Sequence, residues 1–252
     1  YVPNTTAPKW HPDVEVYDVK EGDKLFGTIY LDMHPRDNKF KHAAQFTLRN
    51  GIAAADGQPG QLPEGVLVCN FPTGSERMEH RDVTTFFHEF GHLLHHVVGG
   101  HQRWARFSGV ATEWDFVEAP SQIFEEWARD HGVLKEFARN PAGEVLPVEL
   151  VHKMLDADDF GRALWVRQQM FYAGMSLHMH DRDPKGLDGD AVVAQMTERY
   201  SPWPLVPGTH MQASFGHLEG YSAIYYTYMW SLVIAKDMFS RFQREGILNP
   251  TS

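Results

Sequence analysis

The sequence has a single cysteine, Cys69, so no disulfide can form within the chain and the core must hold the fold together. Long apolar runs are missing as well. The longest stretch, about residues 223–235, is interrupted by Thr227 and Ser231 and is too short to span a bilayer. Positive charge is scarce: 23 Lys and Arg stand against 33 Asp and Glu, for a formal net charge of -10. The clustered cations that phosphate binding needs are therefore lacking, which argues against nucleic acid as a partner. No signal peptide is visible, and Tyr1 is not an initiator methionine. The expectation is a cytoplasmic protein of which this chain is one part. The remaining composition, 42% hydrophobic and 22% charged over 252 residues, suits one large globular domain. Histidine is abundant at 15 residues, which favours metal chemistry but also accidental motifs.

Residues 1–72 read as strands. Segments 14–17 and 44–48 alternate, while 25–31 and 65–71 are short apolar runs. Turn signals at Glu21-Gly22-Asp23, Pro35-Arg36-Asp37-Asn38 and Asn50-Gly51 separate them. After Pro72 the period becomes helical. Asp82 is the expected N-cap of a helix that ends at Gly99-Gly100. Further helices are expected at about 116–139, 147–156, 158–181, 189–199 and 219–245, with a loop over 201–220. Strands first and helices afterwards indicate the α+β class.

The sharpest local signal is His88-Glu89-Phe90-Gly91-His92. Histidines four apart project from one helix face and can share an ion, with Glu89 beside them to meet a water. This pattern arises by chance in about 0.06 of shuffled chains of this composition, so context matters. Val83, Phe86, Phe87, Phe90, Leu94 and Val97 give an apolar stripe, which makes this a buried helix whose polar groups need partners. A catalytic zinc takes a third protein ligand. Glu118, Gln122 and Glu125 share one helical face; one would be that ligand and another would orient a histidine. The alternative is an acidic surface face with pairs such as Glu125 and Arg129. Further on, Tyr221, Tyr225 and Tyr228 fall on one face of the expected last helix, with Tyr226 elsewhere. Their spacing fits either oxyanion donors or an aromatic core stripe.

Three segments in this order resemble the thimet oligopeptidase family of zinc peptidases: Phe87-His88-Glu89-Phe90-Gly91-His92, Asp115-Phe116-Val117-Glu118-Ala119-Pro120-Ser121-Gln122, and Phe215-Gly216-His217-Leu218 with the tyrosines after it. Leu31-Asp32, Pro35-Arg36 and His42-Ala43-Ala44 resemble that family's catalytic-domain strands. The resemblance covers nearly the whole chain. It implies a zincin-like catalytic domain over 1–252, with a strand-rich part at 1–72 and a helical part at 73–252, excised from a longer chain that is monomeric. It implies one zinc per chain held by His88, His92 and Glu118, with Glu89 as general base and Gln122 and Glu125 behind the ligands. It also implies that His217, Tyr221, Tyr225 and Tyr228 contact the substrate or its transition state. The expected activity is hydrolysis of short peptides, by endopeptidase or carboxydipeptidase action. His95 and His96 read as hydrogen-bonded or exposed, Cys69 as a packed strand residue, and Met170, Met175 and Met179 as core. His210 lies in the loop.

Overall fold

The computed structural model describes residues 1–251. Five strands form one mixed sheet in the order β1-β2-β3-β5-β4: β1 (Val2–Pro3), β2 (Glu15–Glu21), β3 (Lys24–Asp32), β4 (Ala44–Arg49) and β5 (Glu64–Val68). Only β3 and β5 are parallel; the other pairs are antiparallel, which leaves β4 with an open edge. The two-residue period sorts the side chains by face. Ile29 and Leu67 point to the helical side, and Tyr30 and Val66 to the other, where they pack with Val14 and Val16. The β1 strand and the extension of β2 to Glu21 were not legible in the pattern. The expected strand at 65–71 stops at Val68, and Cys69 and Phe71 continue it only as buried core.

Helix α1 (His80–Val98) lies on the sheet, with Leu93 and Val97 fully buried against Ile29 and Leu67. Burying each such side chain stabilises the fold by about 1.5–3 kcal/mol. Asp82 is not the N-cap. The cap is Glu79, three residues earlier, and Asp82 is the third residue of the helix, accepting from the Glu79 N–H at 2.9 Å. At the other end, fully buried His96 sits within hydrogen-bond distance of the carbonyls of Arg49 (3.1 Å) and Glu64 (3.0 Å). Burial pushes its pKa down, and the neutral ring ties α1 to both β4 and β5.

The expected helix at 116–139 is three pieces: α2 (Ala119–Phe124), a 3-10 turn (Trp127–Arg129) and α3 (His131–Phe137). Asp130 starts α3 afresh by accepting from the Val133 N–H. Helices α4 (Val148–Asp159) and α5 (Arg162–His180) are divided by Gly161, whose φ of 74° is left-handed. Helix α6 (Gly189–Tyr200) packs on α5 through Met175, Val192 and Met196. Met179 joins that core from its edge, whereas Met170 is exposed. The last expected helix also begins late. A short α7 (His217–Gly220) and a run of turns precede α8 (Thr227–Glu245), and Ser222 in between has a φ of 42°. No helix among the described residues is long and apolar enough to cross a membrane.

Helices α1 and α2 touch at Gly91. A β-carbon there would lie 2.6 Å from the Pro120 carbonyl oxygen and 2.7 Å from the Ser121 Cα, too close for backbone to tolerate. Gly91→Ala should therefore force the helices apart. We expect a loss of about 1–3 kcal/mol in a denaturant titration, together with weaker metal binding, because the contact sets Glu118 against the histidines. Unchanged values for both would show that the two helices separate freely.

Candidate metal centre

His88 and His92 stand one turn apart on α1, and their rings cross at 82° with centroids 5.0 Å apart. Glu118 precedes α2 as its N-cap residue and is fully buried. Its Oε2 lies 3.3 Å from His88 Nε2 and 3.1 Å from His92 Nε2. One ligand atom from each of the three falls within 4.8 Å of the others. Two imidazole nitrogens and one carboxylate oxygen converge, and among the described residues no further His, Cys, Asp or Glu joins this group, a donor set that suits a metal ion.

The surrounding groups fix these three. His88 Nδ1 meets Glu125 Oε1 at 2.7 Å, so the carboxylate orients the ring and leaves Nε2 for the centre. Glu125 has no tie to Arg129, which pairs with Asp158 instead. Glu118 Oε2 also accepts from Ser121 Oγ at 2.9 Å, and its other oxygen accepts from the Tyr221 hydroxyl at 2.6 Å. Gln122 does not orient a histidine. Its amide donates to the Tyr228 carbonyl at 2.9 Å and ties α2 to α8. Burial alone would push His88 down, but hydrogen bonds and charge from Glu118 and Glu125 outweigh it and push the imidazole up to about 10. The same contacts to His88 and His92 hold Glu118 well below the carboxylate range despite its burial. The cluster thus favours positive charge at its centre, which suits a divalent cation.

Glu89 is buried beside the ligands, and its Oε2 accepts from the Gln45 N–H of β4 at 2.9 Å. A cleft of about 800 Å³ opens over these groups. One wall is the β4 side, with Phe40, His42 and Ala43; the other carries His217, Tyr221 and Tyr228. The tyrosines do not share a continuous helix as the spacing suggested. They converge through the turns before α8: the Tyr221 and Tyr228 rings are 5.3 Å apart, and His217 lies 5.5 and 5.8 Å from them. Burial, then the charge of Glu118, raises both phenols, and burial lowers His217. All three are neutral hydrogen-bond donors near neutral pH. Tyr225 packs in the same aromatic group, but it faces away from the cleft and its hydroxyl donates to Gln169 Oε1. Tyr226 is half-exposed and bonds Asp115. His210 is drawn off to Asp190 on α6 at 2.8 Å. His95 packs on Phe116 and contributes nothing to the centre. The β4 wall was the part that spacing missed. Only the His42-Ala43-Ala44 resemblance marked it, and nothing in a side-chain pattern reports the Gln45 N–H.

The model of peptidase family M3 matches residues 1–252. The chain belongs to peptidase family M3. Among curated relatives, oligopeptidase A of Escherichia coli is 36% identical over 253 residues, covering 95% of this chain and 37% of that protein. The thimet-like oligopeptidase of Dictyostelium discoideum is 34% identical, with 95% and 37% covered. The mitochondrial intermediate peptidase of Arabidopsis thaliana is 32% identical, with 98% and 36% covered. The chain spans little more than a third of the length of these relatives.

Glu125→Ala should weaken divalent metal binding about 10–100-fold by freeing the His88 ring. Competition against a chromogenic chelator measures it. Affinity equal to the wild type would mean that α1 alone fixes the ring.

Proposed function

We propose that this chain is the zincin-like catalytic part of a peptidase that hydrolyses short peptides, with one zinc held by His88, His92 and Glu118. The convergence of these three ligand atoms beside buried Glu89, in one cleft, is the observation that carries the reading. Zinc, when bound, supplies a Lewis acid that lowers the pKa of a water and polarises the scissile carbonyl. The side chains perform the remaining work.

Glu89 is the general base. The Gln45 N–H holds one carboxylate oxygen in place, and the other takes the proton of the attacking water and later passes it to the leaving nitrogen. Tyr228 and His217, neutral and half-buried in the opposite wall, are the donors for the oxyanion. Tyr221 serves differently from Tyr228: with its hydroxyl on Glu118, it holds the ligand. The substrate backbone has a natural seat on β4. In an antiparallel pair the N–H and C=O of one residue face the same side. Because the Gln45 N–H points away from β5 to Glu89, its carbonyl faces the cleft too. An extended peptide adds to that edge as a further strand.

A metal analysis paired with cleavage of a short quenched peptide tests this reading. We expect one zinc per chain, loss of cleavage on chelation and its return with zinc. A folded sample without stoichiometric metal would overturn it. Glu89→Gln should retain zinc and lose at least ~10²-fold in turnover; loss of zinc instead would make Glu89 a ligand.

Tyr228→Phe should lower kcat by about 10²–10³-fold and change KM little, because a donor aimed at developing charge gains strength only in the transition state. Tyr226→Phe, which removes only a bond to Asp115, should stay within a few-fold of wild type. A change confined to KM in Tyr228→Phe would assign that hydroxyl to substrate binding.

A further inference from the structure

Residues 33–43 leave the end of β3, turn through Asn38 at a φ of 61°, and return as the β4 wall of the cleft. A buried charge cluster sits beneath this loop and has no contact with the metal centre. Lys39 is 8% exposed and Asp32 only 2%. The Lys39 ammonium reaches the carbonyls of Asp32 (2.8 Å), His34 (2.6 Å) and Cys69 (2.5 Å), and the Asp32 carboxylate at 2.9 Å. Asp32 also takes two bonds from Arg36, at 2.5 and 2.7 Å, and one from the Trp10 indole at 2.9 Å. Burial would raise the Asp32 carboxyl, but these donors hold it far below the carboxylate range. Two residues past the end of β5, Asn70 donates to the carbonyls of Phe40 (2.9 Å) and His42 (3.2 Å).

The pair does more than fill space: an apolar replacement would leave the His34 and Cys69 carbonyls and the Arg36 and Trp10 donors without these partners. What the ions add is direction. Four acceptors from the ends of β3 and β5 meet on one nitrogen, and the residue after it is Phe40, the first of the cleft wall. We propose that Asp32, Lys39 and Asn70 are positioning residues for peptide binding, which clamp residues 40–43 at the distance from His217 and Tyr228 that an extended substrate requires. Arg36 serves the same clamp from its rim, half-buried against Asp32. This assignment rests on the peptidase reading above. It concerns the grip on substrate and leaves Glu89 and the ligands unaffected.

The test compares Asn70→Ala and Lys39→Met with wild type in three measurements: zinc content, kcat and KM on a short quenched peptide, and hydrogen exchange of the backbone amides at 40–43. Asn70→Ala removes only two bonds to the loop. It should keep its zinc, raise KM about 10-fold, leave kcat within about twofold, and speed exchange at 40–43. Lys39→Met should shift KM further in the same direction; should it fail to fold, Asn70→Ala carries the test alone. Unchanged KM and unchanged exchange in Asn70→Ala would overturn the proposal. So would a fall in kcat at constant KM, which would place the loop in the chemical step. A wild-type protein that holds zinc and cleaves no peptide would overturn the peptidase reading, and the exchange comparison would then decide the clamp by itself.

Discussion

Everything at the centre depends on how closely α1 and α2 approach. Glu118 must reach two imidazoles on a different helix, and a carboxylate spans only a few ångströms. Gly91, between those imidazoles, removes the one side chain that would stand in the way, and the backbone of Pro120 and Ser121 fills the space. The approach has a cost, since glycine inside a helix is destabilising by roughly 0.5–1 kcal/mol relative to alanine. It is offset by the burial of Leu93 and Val97 on the sheet and by His96, which anchors the far end of α1. From the other side, α8 braces α2: Gln122 reaches the Tyr228 carbonyl, and Thr227 and Ser231 bond the Trp114 and Asp115 carbonyls. The helix that carries Tyr228 thus also holds the segment that carries Glu118, so the tyrosine wall and the third ligand residue share one support.

The electrostatics follow from that packing. Two carboxylates, Glu118 and Glu125, converge on one half-buried imidazole, and the arrangement favours positive charge among them. Tyr221 and Ser121 spread the charge of Glu118 over further hydrogen bonds, Ser121 on the oxygen that faces the histidines and Tyr221 on the other. The centre therefore has a built orientation, with one carboxylate oxygen of Glu118 and two ring nitrogens turned inward and its other carboxylate oxygen held by Tyr221.

Much of this was legible in the sequence where a local period decides the outcome. The four-residue interval of His88 and His92 is a property of any helix, and the apolar stripe around it marked the helix as buried. The α+β order of elements was legible for the same reason. Periodicity failed where capping or a local break overrides it. Asp130 restarts the chain as α3, and residues 221–226 form turns although their tyrosines are spaced as on a helix. Those tyrosines still converge, through ring packing with His217 that no single-helix pattern describes, and Tyr225 packs among them while its hydroxyl turns to Gln169 on α5. Nor could spacing separate Glu118 from Gln122 and Glu125 as the residue that faces both histidines. That depends on the angle between two helices, set by Gly91 and by the brace from α8. The Gln45 N–H carries no signature at all, being backbone.

The open edge of β4 has a second consequence, for the solution behaviour of the chain. An unpaired strand flanked by exposed Phe46 and Leu48 is the kind of surface on which another copy adds its own strand and begins an aggregate. Here the edge is occupied near its start, at Gln45. A strand arriving in register would have to displace the carboxylate of Glu89 from the Gln45 N–H, and would meet Lys41 before the edge and Arg49 at its end. The buried acid beside the candidate metal centre thus guards this edge against a growing sheet.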